Sequence, residues 1–412
     1  MMGPIARGTI RTSGVLGLRL LVQAGTLLLV ARLLGPRDYG AFAGVSSLAL
    51  ILGTLSTFGL HLVLLGEISR DPARREYMLA RSIPATLVCS TLLLAIFLGI
   101  CLTGLREADL PFRVLFAIGA TEILLQPLLS LPACEMLARG NVARSQLLAT
   151  LPLAFRLIAA AGVALFAPTD ALTMYGYAYP AASALALMNV FLVVPESYPR
   201  FRQWRWPNAA EWRKAAGYAA SNITASGPAE LDKTVATKLL PLAESGIYAA
   251  GQRVIGAATI PLIAMMLSAF PRLFRESQYD AERTARLPRW IFAVTAAYSL
   301  IFSCTIWFCA PAISRLFGHK YAEIEIMLRW LVLAVPGMAL RLAAGGLLLT
   351  MGKPWMRVSF ELSGLGILVV TSLTLTTRFG GIGMPLALAC SETVMAVVGI
   401  VLVALARNPS HP

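Results

Sequence analysis

Charge is scarce in this 412-residue chain: Asp, Glu, Lys and Arg make up 14% of it, against about 25% in ordinary soluble proteins. Acid is the scarcer sign, with 21 Asp and Glu against 35 Lys and Arg. The three histidines have no CxxC pair or neighbouring cysteine spaced to complete a zinc site. The six cysteines (Cys89, Cys101, Cys134, Cys304, Cys309 and Cys390) fall in or beside apolar stretches and read as small apolar packers. A GxxxxGK[ST] phosphate loop is missing, and with it any ATP-driven engine within the chain. HExxH and DxD are missing too, and no polar connection exceeds 22 residues, which leaves little room for a soluble catalytic domain. Together these absences exclude an ordinary cytosolic enzyme, a nucleic-acid-binding domain and a disordered chain.

What the sequence does have is hydrocarbon, 57% of its residues, in repeated uncharged runs. About 20 apolar residues in a helix cross a hydrocarbon core ~30 Å thick. Twelve runs qualify: residues 14–34, 40–65, 83–103, 112–133, 145–166, 171–194, 217–240, 246–270, 290–310, 326–350, 358–376 and 382–406. The weakest is the seventh, which carries Asn222, Glu230, Asp232, Lys233 and Lys238, so eleven is the competing count. The first run lacks a short apolar core followed by a cleavage site, and an uncleaved first helix is expected. The fold class is therefore an all-α polytopic membrane protein.

The net charge of +14 then acquires a meaning. With twelve spans, 21 of the 35 cations fall at the termini and in the even-numbered connections, six fall in or at the edge of the odd-numbered ones (Arg113 is the second residue of its run) and eight lie deeper inside spans. Cytoplasmic loops are enriched in Lys and Arg, so both termini are expected in the cytoplasm. Dropping the seventh span would move the loop with Arg272, Arg275, Arg283, Arg286 and Arg289 outside and weaken the asymmetry.

The longest connection, 195–216, holds the aromatic and basic run YPRFRQWRW at mid-chain. It reads as an interfacial linker with Trp and Arg at headgroup level. On either side lie two similar halves: RLLGPRDYGAFAG at 32–44 aligns without gaps to KLLPLAESGIYAA at 238–250, an offset of 206 residues, half the chain. RGNVARS at 139–145 and MGKPWMR at 351–357 are a second echo, each following the fourth span of its half. The expected domains are a bundle over 1–194, the linker 195–216 and a bundle over 217–412. Six spans per half, an even number, imply repeats of the same orientation, related by a pseudo-two-fold axis along the membrane normal.

Ionisable groups inside spans are costly and mark functional candidates. Thr12, Arg19, Gln23 and Thr26 share one helical face of the first span. Ser47, Thr54, Thr57 and His61 do so in the second, and Asn222, Ser226, Glu230, Lys233 and Thr237 in the seventh. Three such stripes suggest a watery vestibule where the halves meet. Arg19 is either a cavity cation or one that snorkels to the headgroups. Lys233 and Arg253 suit a cavity, and Arg341, deep in the tenth span, suits a cavity or an intramembrane ion pair. Arg156, mid-span in the fifth, is equally a cavity cation or the partner of Glu122 in the fourth. Glu230 and Lys233, three residues apart, either neutralise each other or leave a carboxylate free to carry H+ or Na+. Asp232 and His61 are further candidates for that role.

The same residues resemble a known family. RLLGPRDYGAFA after the first span, then a polar second span ending GLHLVLLGEISR, resembles the opening of the polysaccharide-exporter flippases. These form the Wzx-type branch of the multidrug/oligosaccharidyl-lipid/polysaccharide (MOP) exporter superfamily. LDK at 231–233, SGIYAAGQRV, LFGHKYAEIEIMLRWL, LLLTMGKPW and GGIGMPLALACSE continue the likeness in order through the second half. The resemblance implies two six-helix bundles in a V around a central cationic cavity, with alternating access. It implies as cargo a lipid-linked oligosaccharide on undecaprenyl pyrophosphate, moved to the outer leaflet of a bacterial inner membrane for O-antigen, lipopolysaccharide or exopolysaccharide synthesis, and no enzyme activity. Partners would be membrane lipids, the polysaccharide polymerase and chain-length machinery, without nucleic acid; no cofactor is implied beyond H+ or Na+ coupling. A diphosphate head needs desolvated cations, and Arg offers it bidentate contact. Arg19, Lys233, Arg253 and Arg341 are thus the expected head-binding set, with Gln23, His61, Asn222, Glu230 and Asp232 as polar or ion-coupling candidates. A multidrug/cation antiporter of the superfamily and a membrane glycosyltransferase or polymerase remain as alternatives.

Overall fold

The structure is a computed structural model that describes residues 4–407 except 106–107, 167–168, 195–197, 264, 267–285 and 352. Arg272, Arg275 and Arg283 lie outside the described residues. Among those described there are helices and turns and no strand, as expected of a backbone that must satisfy its own hydrogen bonds in lipid. Each of the twelve predicted spans falls largely on helix among the described residues; the eighth is helical to Gly256, turns at 257–258 and is helical again over 259–263. Seven stretches pass a length-and-hydropathy criterion for crossing a membrane, and two of them, Gly17–Ser56 and Trp355–Ala406, hold two predicted spans each. The chain is an all-helical, multi-pass membrane protein.

The first unit, Met1–Ser226, opens with α1 (Pro4–Ser56), which is two spans in one helical line. Gly35 divides them with φ 74° and ψ 170°, a conformation costly for any residue with a Cβ. Pro36 follows, its fixed φ suited to a helix start. The second span is broken again, contrary to the single run 40–65: Phe58 and Gly59 both take positive φ, and α2 (Leu60–Arg70) begins there. Gly59 is required for a second reason, since a Cβ would strike the Ala215 carbonyl and lie 2.9 Å from Ala219 N. α3 (Arg75–Gly104) leads to α4 (Phe112–Gly119), a π-helical turn Ala120–Leu125 and α5 (Gln126–Ala138). α6 (Val142–Phe166) and α7 (Ala171–Val193) complete the predicted first six spans. α6 packs between α1 and α7, while α2 lies against α3 and α5.

α8 (Ala209–Leu239) starts eight residues before the predicted seventh span. The boundary between the two compact units falls within it, at Ser226 and Gly227. The second unit, Gly227–Pro412, continues with α9 (Leu242–Gly256) and α10 (Arg286–Phe317). Then come α11 (Ile324–Leu331), a 3-10 turn Val332–Ala334 and α12 (Val335–Thr350). α13 (Pro354–Phe379) and α14 (Gly383–Arg407) close it. α14 packs on both α12 and α13, with Ala343, Ala344, Leu347, Leu348, Phe360 and Met395 in one apolar cluster.

Large apolar side chains also cover the outside: Leu165 is 86% and Phe308 80% exposed. A soluble protein does not display such a surface, but hydrocarbon solvates it. Cys101 is packed inside, whereas Cys304, Cys309 and Cys390 sit on these outer faces and so do not fill the core as expected.

Candidate functional site

Among the described residues, three clusters gather buried charged groups that the sequence singles out inside spans. The first joins the fourth, fifth and sixth spans. Glu122 stands on the π-helical turn between α4 and α5, a backbone irregularity frequent at functional sites. Its Oε1 lies 3.0 Å from Arg156 NH1 and accepts the Tyr179 hydroxyl. The Arg156 guanidinium also donates to Ser183 Oγ at 3.1 and 3.2 Å and sits 4.1 Å above the Tyr179 ring. All four side chains are buried, and the ion pair is the alternative open to Arg156 and Glu122 in the sequence.

The second cluster belongs to the tenth, eleventh and twelfth spans. Arg341 on α12 donates through Nε to Glu392 on α14 at 2.6 Å and through NH1 to Glu361 on α13 at 2.5 Å. Span for span this is the first cluster with its charges exchanged: the acid of the fourth span becomes a base in the tenth, and the base of the fifth becomes an acid in the eleventh. Arg156 and Glu361 are 205 residues apart, one short of the repeat offset. Arg341 is therefore an ion-pair partner, as one of its two sequence readings had it.

The third cluster is in α8 and α9. Asp232, wholly buried, accepts the Tyr248 hydroxyl at 2.9 Å and the Lys233 backbone N–H at 2.7 Å. Lys233 Nζ donates to Glu230 Oε2 at 2.7 Å, the neutralised pair their spacing allowed. Thr237 continues the stripe, 3.1 Å from Ser245 Oγ. The side chains of Thr12, Asn222 and Ser226 lie outside the described residues.

The remaining candidates stand apart from these clusters. Arg19, half-buried on α1, donates to Gln146 Oε1 of α6 at 3.2 Å; its partner is a neutral amide, and among the described residues it makes no ion pair. Gln23 is exposed one turn further on. His61 starts α2 and lies 2.6 Å from Thr57 Oγ1, across the break at Gly59. Arg253 is exposed on α9.

Two groups were not visible as a site in the sequence. Glu135, fully buried at the end of α5, holds Arg75 Nε at 2.5 Å and Arg139 NH2 at 2.9 Å, although both arginines had counted only as orientation charges. Tyr179, Ser183 and Tyr248 are the hydroxyl partners of the buried ions. Depth was the available signal: Glu122 and Arg156 stand ten and eleven residues into adjacent spans of like length.

All-helical among the described residues, apolar outside and with buried charges paired inside each of two compact units, the chain is a polytopic membrane protein. The family model described as polysaccharide biosynthesis protein matches residues 5–277, and the chain belongs to that family. Among solved structures it resembles the inward-facing conformation of a multidrug resistance MATE family transporter of the MOP superfamily. That match has TM-score 0.75 at 14% identity, over 95% of this chain and 96% of the other. The outward-facing conformation of such a transporter gives 0.65 at 14% identity, over 97% and 95%. A MOP superfamily transporter from Pyrococcus furiosus, whose structure is described as having reversed polarity in its binding pocket, gives 0.65 at 12% identity, over 97% and 94%. At these identities the likeness establishes the fold. No curated protein matches the sequence.

Proposed function

We propose that the chain is a flippase that moves a lipid-linked oligosaccharide, carried on undecaprenyl pyrophosphate, from the cytoplasmic to the outer leaflet of the inner membrane by alternating access. The observation that carries this reading is a conjunction: the chain belongs to a polysaccharide biosynthesis family, yet its fold resembles that of MOP superfamily transporters and no polar connection of the sequence exceeds 22 residues. A family that serves polysaccharide synthesis with a transport scaffold has the saccharide as its natural cargo. Both termini are then cytoplasmic, by the asymmetry of the 21 and six loop cations.

Arg19 is the residue we assign first to the diphosphate head. Its partner Gln146 is neutral, so its charge is available to an anion, and a guanidinium reaches two phosphate oxygens at once. Arg253 is the corresponding candidate of the second unit. Lys233 and Arg341 hold carboxylates and reach the head group only when those acids let go, which suits a cycle in which cargo and acid compete for a cation. Asp232, Glu230 and His61 are the candidates for H+ or Na+ coupling, and Gln23 and Asn222 for contacts to sugar.

The solved relatives described as multidrug resistance transporters favour one second reading, a drug/cation antiporter. Against it, the buried acid among the described spans of the first unit, Glu122, is engaged by Arg156. Flipping of a fluorescent lipid-linked oligosaccharide in vesicles containing the purified chain tests both. Transfer, lost in Arg19→Ala, is expected. No transfer, together with drug efflux from cells, would replace the flippase reading with the antiporter.

A further inference from the structure

The connection between the sixth and seventh spans is built as a fixed surface. Phe201–Gln203 form one 3-10 turn. Gln203 Nε2 donates to Glu76 Oε1 at 2.8 Å, and Arg205 N–H donates to Ala80 O at 3.0 Å, so the loop is fastened to the first turns of α3. Trp204 Nε1 reaches back to Pro199 O at 3.3 Å. At the far end Asn208 and Glu211 cap α8 reciprocally, each backbone N–H donating to the other's side chain at 2.8 Å. Trp206 stacks near Trp212, which stacks in turn on Phe58.

What this surface presents is apolar and cationic at once. Phe201 is 77% and Trp206 55% exposed, and Arg200, Arg202, Arg205 and Arg213 are exposed beside them. Neighbouring cations are spoken for: Arg81 meets Glu211 at 3.4 Å and Lys214 meets Glu67 at 2.7 Å. Lys214, and then Arg74, hold the Glu67 carboxyl below its ordinary value, so that pair is ionic at neutral pH. None of the four exposed arginines makes an ion pair among the described residues. The anchor at Ala80 lies three residues before the apolar run that starts at Ile83, about 5 Å along a helix. The patch therefore stands at the depth of the headgroups, where Trp and Arg are both favoured.

We propose that this surface, Arg200–Trp206 with Arg213, is a docking site for anionic phospholipid headgroups of the leaflet it faces. Charge complementarity selects the occupant: four exposed arginines without an ion-pair partner among the described residues fit a phosphodiester of net negative charge, and Phe201 and Trp206 fit the glycerol and upper acyl region beneath it. A solvated loop would need neither the aromatic exposure nor the fastening to α3. An acidic protein partner would fit the arginines and leave Phe201 and Trp206 without a reason to be outside.

The test uses the full chain in nanodiscs of mixed phosphatidylcholine and phosphatidylglycerol, with a photoreactive phenylalanine analogue at position 201 and mass spectrometry of the crosslinked lipid. Phosphatidylglycerol should be enriched over its share of the bilayer, on the order of tenfold, because each basic residue near an anionic surface adds its own attraction. The enrichment should fall with salt as the charges are screened. Arg200→Gln, Arg202→Gln, Arg205→Gln and Arg213→Gln together should bring it to parity, while four Lys substitutions at the same positions should retain it. Should the Gln variant fail to fold, the salt series on the unchanged arginines decides. Parity in the native sequence, enrichment indifferent to salt and to the Gln substitutions, or no lipid crosslink at all would overturn the proposal.

Discussion

Arg156→Met removes the cation that pairs with Glu122 among the described residues, together with its bonds to Ser183. Glu122 is 3% exposed and would keep one donor, the Tyr179 hydroxyl, against a charge that had two. Removing one partner of a buried pair costs about 3–5 kcal/mol, because the surviving charge stays desolvated. The double variant Glu122→Gln, Arg156→Met removes the charge as well and keeps an acceptor for Tyr179, so it should recover at least half of that loss. The coupling between the two sites should then reach about 2 kcal/mol. Tyr179→Phe in the Arg156→Met background should cost a further ~1.5–3 kcal/mol, the range for a hydrogen bond to a charged group. Equilibrium unfolding in mixed micelles, followed by tryptophan fluorescence, reads all four. A single variant within about 1 kcal/mol of the native chain would show that Glu122 does not depend on Arg156. A double variant no better than the single would show the same.

Other expectations follow from the same geometry. Arg341 has two acids, so Glu361→Gln or Glu392→Gln alone should leave membrane protein levels near normal, while the pair together should reduce them severalfold on immunoblots, since Arg341 is then buried unpaired. Arg19→Ala should abolish polysaccharide export at normal protein levels, whereas Gln146→Ala should leave export intact; the reverse pattern would make the hydrogen bond, and not the cation, the important feature. Gly59→Ala meets both a positive φ and the backbone of α8, and should lower thermal stability in detergent by more than about 1 kcal/mol. Normal stability of that variant would mean that α8 stands further from α2 than described.

Much of the fold was legible because apolar length is a one-dimensional property: a run of the right size forms a helix wherever it lies in the chain. The breaks inside helices were not legible. Nothing in the run 40–65 marks Phe58 and Gly59, because their positive φ answers the approach of α8 from more than a hundred residues away. The seventh span could be recognised only through the charge asymmetry, its own charges having lowered its hydropathy; those charges turn out to be held by Glu230, Lys233 and Tyr248. Arg341 was conspicuous by depth, but its partners depend on how α12, α13 and α14 turn their faces, which periodicity in a nearly all-apolar helix does not record. Arg75 and Arg139 read in the sequence only as loop cations, and only the burial of Glu135 between them shows that they also close the end of a helix packing.

The exchanged charges of the two repeats bear on how such a chain assembles. In lipid, apolar helices have no hydrophobic reason to prefer one neighbour over another, and a duplicated protein offers each helix two near-identical places. Were the fifth span to settle into the place of the eleventh, Arg156 would face Arg341. Were the eleventh to settle into the place of the fifth, Glu361 would face Glu122. Each wrong exchange sets like charges together in hydrocarbon, and each right one neutralises them. The polarity reversal gives the fourth and fifth spans, and the tenth and eleventh, an address within their own half, a proofreading of assembly that two identical repeats could not have.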